Sequence, residues 1–79
     1  MNVAIDFGIS NTDLAIFDRG NITFKSTPSQ SAKINSETIK NLFKKYEIDI
    51  SSVKKIGVTG GKSSDLDDSL DKIKIEKIN

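Results

Sequence analysis

Residues 6–13 read Asp-Phe-Gly-Ile-Ser-Asn-Thr-Asp, and this stretch joins two short apolar runs at residues 2–6 and 12–18. Both runs carry apolar residues at adjacent positions, which predicts central strands with both faces covered. A carboxylate at the end of such a strand is costly to bury unpaired, so we expect Asp6 to face solvent or a hydrated cation. The stretch therefore predicts a tight turn that begins with a functional carboxylate.

The residues of this turn are of the types that bind anions. Gly8 has no side chain, so the backbone can turn tightly and a ligand can approach it closely. Ser10, Asn11 and Thr12 add side-chain donors, and the backbone N–H groups of a turn can converge on an anion. With Asp6 as a ligand of Mg²⁺, directly or through water, the turn suits a phosphate with its metal. The alternative is a hairpin turn in which Asp6 only caps the backbone.

The segments that follow extend these two strands into an antiparallel meander. Residues 18–21 read Asp-Arg-Gly-Asn, which is a turn signal between strands. Residues 22–26 alternate apolar and polar side chains, as a half-exposed strand does. Residues 27–34 are polar and contain the only proline, so they predict a connecting loop.

A change to helical periodicity predicts a helix over residues 35–47, capped by Asn35 or Ser36. Its apolar stripe consists of Ile39, Leu42, Phe43 and Tyr46. Further strands are predicted at residues 54–59 and 73–78, with one or two helical turns at residues 65–70. The element order is then βββαβαβ. A helical crossover places the fourth strand parallel to a neighbour, so we expect one mixed five-stranded sheet of the α/β class.

Composition limits the classes of protein that need to be considered. The chain has 79 residues, enough for a single domain over residues 1–79 with one small core. Its 12 basic and 11 acidic residues are interleaved and give a net charge of +1, which argues against a nucleic-acid partner. It has no cysteine or histidine, so cysteine-ligated metals and disulfides are excluded. Without a signal peptide or a membrane-spanning apolar run, we expect a cytoplasmic protein with no membrane partner.

A second candidate ligand site follows the fourth predicted strand. Gly60 and Gly61 precede the predicted helical turn, so an oxyanion could bind at its N-terminus, and Lys62 could add charge. The spacing of a P-loop is absent, and a plain flexible connection is the favoured interpretation. An acidic cluster beyond it lacks the pattern of a calcium loop and is interpreted as a solvated face. Its members are Asp65, Asp67, Asp68 and Asp71.

Residues 6–18 resemble the phosphate-1 motif of the superfamily that includes sugar kinases, actin-like chaperone ATPases and hydantoinases. In that superfamily the motif joins the first two strands of a ribonuclease-H-like βββαβαβ lobe. Residues 56–61, Ile-Gly-Val-Thr-Gly-Gly, resemble the fourth-strand segment of type II pantothenate kinases. The resemblance implies ATP and Mg²⁺ as cofactors, with Asp6 as the metal ligand. The phosphate-binding residues that it implies are Asp6, Gly8, Ser10, Asn11, Thr12, Gly60 and Gly61.

The chain departs from the family pattern at two positions of the turn. Many relatives have a second glycine where this chain has Ile9, and threonine where it has Ser10. Serine keeps the hydroxyl, whereas Ile9 stiffens the turn and narrows the approach to it. Residues 11–13, Asn-Thr-Asp, also resemble the N-terminal segment of hydantoinases and oxoprolinases, which keeps that subtype open.

A complete kinase needs more than this chain supplies. It needs a second phosphate loop, an adenosine pocket and a carboxylate base. In the superfamily the first two lie in a second lobe, and in type II pantothenate kinases the base is a Glu just after the fifth strand. We therefore expect an incomplete N-terminal segment of a small-molecule kinase, inactive alone. Its expected partners are a nucleotide, a small-molecule substrate, and a second lobe or another copy of the chain.

Two interpretations from other classes compete with the kinase. Holliday-junction-resolvase nucleases share the fold and a first-strand Asp, but they place another carboxylate at the end of the fourth strand. This chain has Val58, Thr59 and Gly60 there, with no acid. The second competitor is a non-catalytic lobe that only packs against a partner, which an exposed apolar sheet face would favour.

Overall fold

The structure of the protein, a computed structural model, describes residues 1–29 and 33–78. Within these residues one six-stranded sheet packs against one α-helix, α1 (Ser36–Lys45). The strands are β1 (Asn2–Phe7), β2 (Asn11–Asp18), β3 (Asn21–Pro28), β4 (Lys55–Thr59), β5 (Ser69–Leu70) and β6 (Ile73–Lys77).

The strand order across the sheet is β3-β2-β1-β4-β6-β5. The pairs β1–β2, β2–β3 and β5–β6 are antiparallel, whereas β1–β4 and β4–β6 are parallel. The predicted mixed α/β sheet with an antiparallel three-strand meander is confirmed. The parallel strands β1 and β4 end side by side, so their carboxyl ends form one edge of the sheet, beside the β1–β2 turn.

The second half of the chain differs from the prediction. Six strands are present instead of five, and the helix predicted at residues 65–70 is replaced by a 3₁₀ turn, Ser63–Asp65, and the short strand β5. Asp71 and Lys72 both have positive φ, 48° and 71°, which closes a two-residue hairpin between β5 and β6. The hairpin and the burial of Leu70 leave too few residues here for a helix.

The helix begins and ends at identifiable caps. The Asn35 side chain accepts from the N–H of Thr38, and the Thr38 hydroxyl oxygen accepts from the N–H of Asn35, which completes a capping box. At the other end Ile48 donates its N–H to the carbonyl of Phe43, and Glu47 has a φ of 56°. This is a Schellman motif, and it ends the helix two residues before the predicted boundary.

The core lies between α1 and one face of the sheet, which we call the helix-covered face. The predicted stripe is confirmed at Ile39, Leu42 and Phe43, which are buried, whereas Tyr46 is half-buried. The core consists of Val3, Ile5, Phe7, Leu14, Ile34, Ile39, Leu42, Phe43, Val53, Ile56, Val58, Leu66, Leu70, Ile73 and Ile75.

The other side of the sheet, which we call the open face, has no covering element within the described residues. The expectation that β1 and β2 are covered on both faces is therefore wrong. The adjacent apolar residues that point to this open face are two small side chains, Ala4 and Ala15, and Phe17, which is 41% exposed. The strand β3, predicted to be half-exposed, is exposed along almost its whole length, with Phe24 74% exposed. An edge position and an uncovered face explain this exposure.

The loop after β3 begins later in the chain than predicted. The strand β3 runs to Pro28, so it takes up the first residues of the loop predicted at 27–34. Residues 30–32 of that loop lie outside the described residues.

Across the part of the chain that the structure describes, we find no helix with the length and hydropathy needed to cross a bilayer.

Candidate functional site

The turn between β1 and β2 is a tight two-residue hairpin: Ile9 and Ser10 form its tip, between the hydrogen-bonded Gly8 and Asn11. The Gly8 N–H donates to the Asn11 carbonyl at 3.0 Å, and Ile9 is fully exposed at the tip. A Cβ on Gly8 would lie 2.7 Å from the Asn11 carbonyl oxygen, closer than real Cβ atoms approach. Glycine is thus required at this position by the closeness of the two strands. The side chains of Ser10 and Asn11 are exposed beside Ile9.

Ser29, at the end of β3, holds this hairpin tip in place. Its N–H donates to the Ser10 carbonyl at 2.9 Å, and its hydroxyl donates to the Gly8 carbonyl at 2.7 Å. The same hydroxyl lies 3.1 Å from the Thr12 hydroxyl, and Thr12 is buried. Ser29 was not predictable as part of this turn, because a serine in a polar stretch far along the chain carries no signal of this contact.

The strand register divides the predicted site residues between the two faces of the sheet. Asp6 pairs with Asp13 across β1–β2 and with Thr59 across β1–β4, and all three lie on the open face. Phe7 pairs with Thr12, and both side chains belong to the helix-covered face. Since successive residues of a strand point to opposite faces, Asp6 and Thr12 cannot act on the same side. The structure brings Asp6 together with Asp13 instead.

Asp6 and Asp13 form a pair of exposed carboxylates at the carboxyl end of β1. Ser26 donates its hydroxyl to the Asp13 Oδ1 at 2.6 Å, which fixes that side chain. Two carboxylates suit Mg²⁺, which binds through one or two carboxylates and completes its octahedron with water or phosphate. No three acidic, His or Cys side chains converge among the described residues, so the protein would supply part of the shell. The predicted metal ligand Asp6 therefore fits a hydrated ion.

Gly60 and Gly61 have different surroundings in the structure. Gly60 has a φ of 107°, and a Cβ there would lie 2.2 Å from the Phe7 carbonyl oxygen. Gly60 is therefore packed against the end of β1, next to the hairpin tip. Gly61 is exposed, and a Cβ there would meet nothing within 4 Å. The helix N-terminus predicted after them is only the 3₁₀ turn, which begins at Ser63.

The opposite end of the open face carries a different charge arrangement. The Lys55 ammonium lies 2.6 Å from the Glu76 carboxylate. Its hydrogen bond and its positive charge hold the pKa of Glu76 below the usual value. The Glu76 carboxylate is already paired with Lys55. Among the described residues, the acidic side chains of the open face that have no salt bridge are therefore Asp6 and Asp13.

The fold has a counterpart among solved structures. No protein-family model and no curated protein matches the chain. It is similar, with a TM-score of 0.65 and 21% identity, to the activator of the 2-hydroxyisocaproyl-CoA dehydratase from Clostridium difficile with bound ADPNP. The match covers 98% of this chain and 28% of that chain, so the chain spans less than a third of that structure. The predicted α/β fold, a ribonuclease-H-like half-lobe, is confirmed as a fold.

Proposed function

We propose that this chain is an ATP-phosphate-binding segment of a protein with the actin-like ATPase fold. One observation carries the proposal: the register of β1 places Asp6 and Asp13 side by side, directly next to the Gly8–Asn11 hairpin tip. A carboxylate pair beside a tight turn suits a phosphate group that arrives with a divalent cation. The bound ADPNP of the similar structure, an ATP analogue, supports a nucleotide as the ligand.

Each residue of the proposed site has a defined part. Asp6 and Asp13 would hold hydrated Mg²⁺, which when bound neutralises charge on the phosphates. Gly8 keeps side-chain bulk away from the tip, where the exposed Ser10 and Asn11 would donate to phosphate oxygens. Thr12 would act indirectly, since its hydroxyl contacts Ser29 rather than the tip's outer surface.

The glycines after β4 complete the proposed site. Gly60 lets the β4 end approach the Phe7 backbone, and Gly61 leaves open space next to it. A phosphate oxygen could occupy that space without a steric clash. Lys62, the next residue, would add a positive charge close to the phosphates.

The finer proposal is a small-molecule kinase of the pantothenate kinase type, with a cytoplasmic location. It rests on the resemblance of residues 56–61 to that family. A hydantoinase- or oxoprolinase-type lobe is the alternative that residues 11–13 keep open. A resolvase-type nuclease is disfavoured because Thr59, and not an acid, is the β4 residue beside Asp6. In either favoured case a second lobe would supply the adenosine pocket.

The proposal predicts that amides of residues 7–13 shift when Mg-ATP or inorganic phosphate is titrated in an NMR experiment. We expect millimolar affinity, equivalent to about 4 kcal/mol, because one hairpin grips only part of the triphosphate and the site stays wet. Asp6→Asn should weaken Mg-ATP more than free phosphate, since the carboxylate acts through the metal.

Asp18→Asn is the matched control, because Asp18 is an exposed aspartate at the far end of β2. It should leave both titrations unchanged. If amides 7–13 stay still while other residues respond, the turn is a plain hairpin and the phosphate-binding proposal is wrong. If Asp6→Asn and Asp18→Asn behave alike, the metal role of Asp6 is wrong.

A further inference from the structure

A cavity of about 300 Å³ lies on the helix-covered face, between α1, the end of β3 and the hairpin tip. Its size is at the lower end of the range for small-molecule sites. Asp6 and Asp13 lie on the other face of the sheet, so this cavity is separate from the proposed metal site. What it can bind follows from three zones of its wall.

One polar zone of the wall consists of the Thr12 and Ser29 hydroxyls. The Ser29 hydroxyl gives its one hydrogen to the Gly8 carbonyl, so in the 3.1 Å contact between the two hydroxyls Thr12 must be the donor. Both hydroxyl hydrogens are then used, and only oxygen lone pairs remain. This zone can accept a hydrogen bond from a ligand but has none to give.

The middle zone of the cavity is apolar. The side chains of Phe7, Ile34 and Leu42 line it, and all three belong to the buried core. A ligand segment that crosses this zone must be a hydrocarbon chain, because a polar group placed there would lose its water without gaining a partner.

The outer zone is at the solvent-exposed rim and is positively charged. Lys45 and Lys62 line it together with the amide of Asn41, against a single acid, Glu37. The Lys45 ammonium donates to the Thr27 hydroxyl at 2.6 Å, which holds it at the gap between α1 and β3. An ammonium has three hydrogens, so two remain for a ligand. The rim therefore suits an anion such as a carboxylate.

We propose that this cavity binds a short-chain hydroxy acid. Its hydroxyl donates to the Thr12–Ser29 pair, its hydrocarbon chain covers Leu42 and its neighbours, and its carboxylate meets Lys45. The proposal goes beyond phosphate binding and does not depend on the metal role of Asp6 and Asp13, because the cavity and the carboxylate pair lie on opposite faces of the sheet.

The test is an NMR titration of the whole chain with 6-hydroxyhexanoate, compared with hexanoate and 1,6-hexanediol. We expect 6-hydroxyhexanoate to bind at about 1–10 mM, as suits a ligand of this size, with shifts at Ser29 and Asn41, which lie outside the hairpin residues 7–13 that report on phosphate. Hexanoate lacks the hydroxyl and should bind about fivefold more weakly, the usual value of one neutral hydrogen bond. The diol lacks the carboxylate and should also bind more weakly.

Variants locate the two ends of the ligand. Lys45→Gln should weaken 6-hydroxyhexanoate about two- to fivefold, as expected for an exposed charge pair. Lys44→Gln, an exposed neighbour in the last turn of α1 that does not line the cavity, should have no effect. Asn41→Trp should abolish binding by filling the rim.

The outcomes separate this proposal from the phosphate site. Asp6→Asn should leave 6-hydroxyhexanoate binding unchanged, so a failure of one proposal does not carry over to the other. Equal binding of the hydroxy acid, hexanoate and the diol by the unmodified chain would overturn the three-zone assignment. Shifts confined to the open face, or no shifts at all, would overturn the site itself.

Discussion

At the scale of single residues, alanine substitutions at the two adjacent glycines after β4, Gly60 and Gly61, should have different effects on stability. Gly60→Ala should destabilise the fold by more than about 2 kcal/mol, because it adds strain at positive φ and a clash with the Phe7 carbonyl. Gly61→Ala should change stability by no more than about 0.5 kcal/mol, because its new methyl meets open space. Urea denaturation of both variants measures the difference.

The comparison also bears on the hairpin tip. Since Gly60 touches Phe7, the Gly60→Ala variant should shift the amides of residues 7–13 in the absence of ligand, and Gly61→Ala should not. Equal unfolding free energies for the two variants would mean that the contact between β4 and the end of β1 is not as close as described.

The residue-level site was only partly predictable from sequence. The position of Asp6 near the end of β1 and the tight turn at Gly8 could be predicted, because a carboxylate and a glycine between two apolar runs favour a strand end and a turn. Their part in ligand binding stays a prediction. The opposite facing of Asp6 and Thr12 could not, since it depends on how many residues form the tip and hence on the register. Asp13 joined the site for the same reason: it lies opposite Asp6 only when the tip has two residues.

At the scale of elements, the fold depends on how α1 packs against the sheet. Leu42→Ala should reduce the unfolding free energy by about 2–5 kcal/mol, the usual cost of truncating a buried leucine. Lys44→Ala, an exposed substitution in the same helix, should stay within about 0.5 kcal/mol. Thermal or urea unfolding followed by circular dichroism measures both. If Leu42→Ala and Lys44→Ala both reduced the unfolding free energy by similarly small amounts, the Leu42 face of α1 would lie in solvent and the described packing would be wrong.

Elements with strong periodicity were predictable, and short ones were not. The stripe of α1 and the alternation of β6 extend over several residues, so local pattern and tertiary packing agree. The segment from Ser63 to Leu70 is different: its serines and aspartates are typical of a helix start, but the following hairpin needs those residues for β5. The Asp71-Lys72 pair lacks the glycine that usually marks such a hairpin, so the sequence carried no signal of this turn.

At the scale of the whole molecule, we expect the 79-residue chain to bind Mg-nucleotide without turning it over. Phosphoryl transfer needs the phosphates gripped from several sides and a base for the acceptor. Under the proposed function, the two carboxylates beside the hairpin tip, Asp6 and Asp13, would hold the metal and so would not serve as that base. Measurement of phosphate release from ATP by the purified chain tests this.

Steady phosphate release above background would contradict the expectation only if Asp6→Asn abolished it. Activity that survives this substitution would belong to a contaminant. The overall architecture, a mixed sheet with an antiparallel meander and one packed helix, was predictable from the order of periodic segments. The bareness of the open face was not, because runs such as Asn2–Phe7 look equally apolar whether the second face meets a helix or water.

The two-residue hairpin tip also limits how this sequence can change its length. One inserted residue between Gly8 and Asn11 would move β2 by one position against β1. Leu14 would then face water, and the Asp13 side chain would point into the apolar core between α1 and the sheet. Insertions and deletions at the tip are therefore tolerated only in pairs, or with a compensating bulge, in any descendant of this chain that keeps its core. The loop at residues 60–68 does not fix the register between two paired strands. Changes in chain length should therefore accumulate there instead.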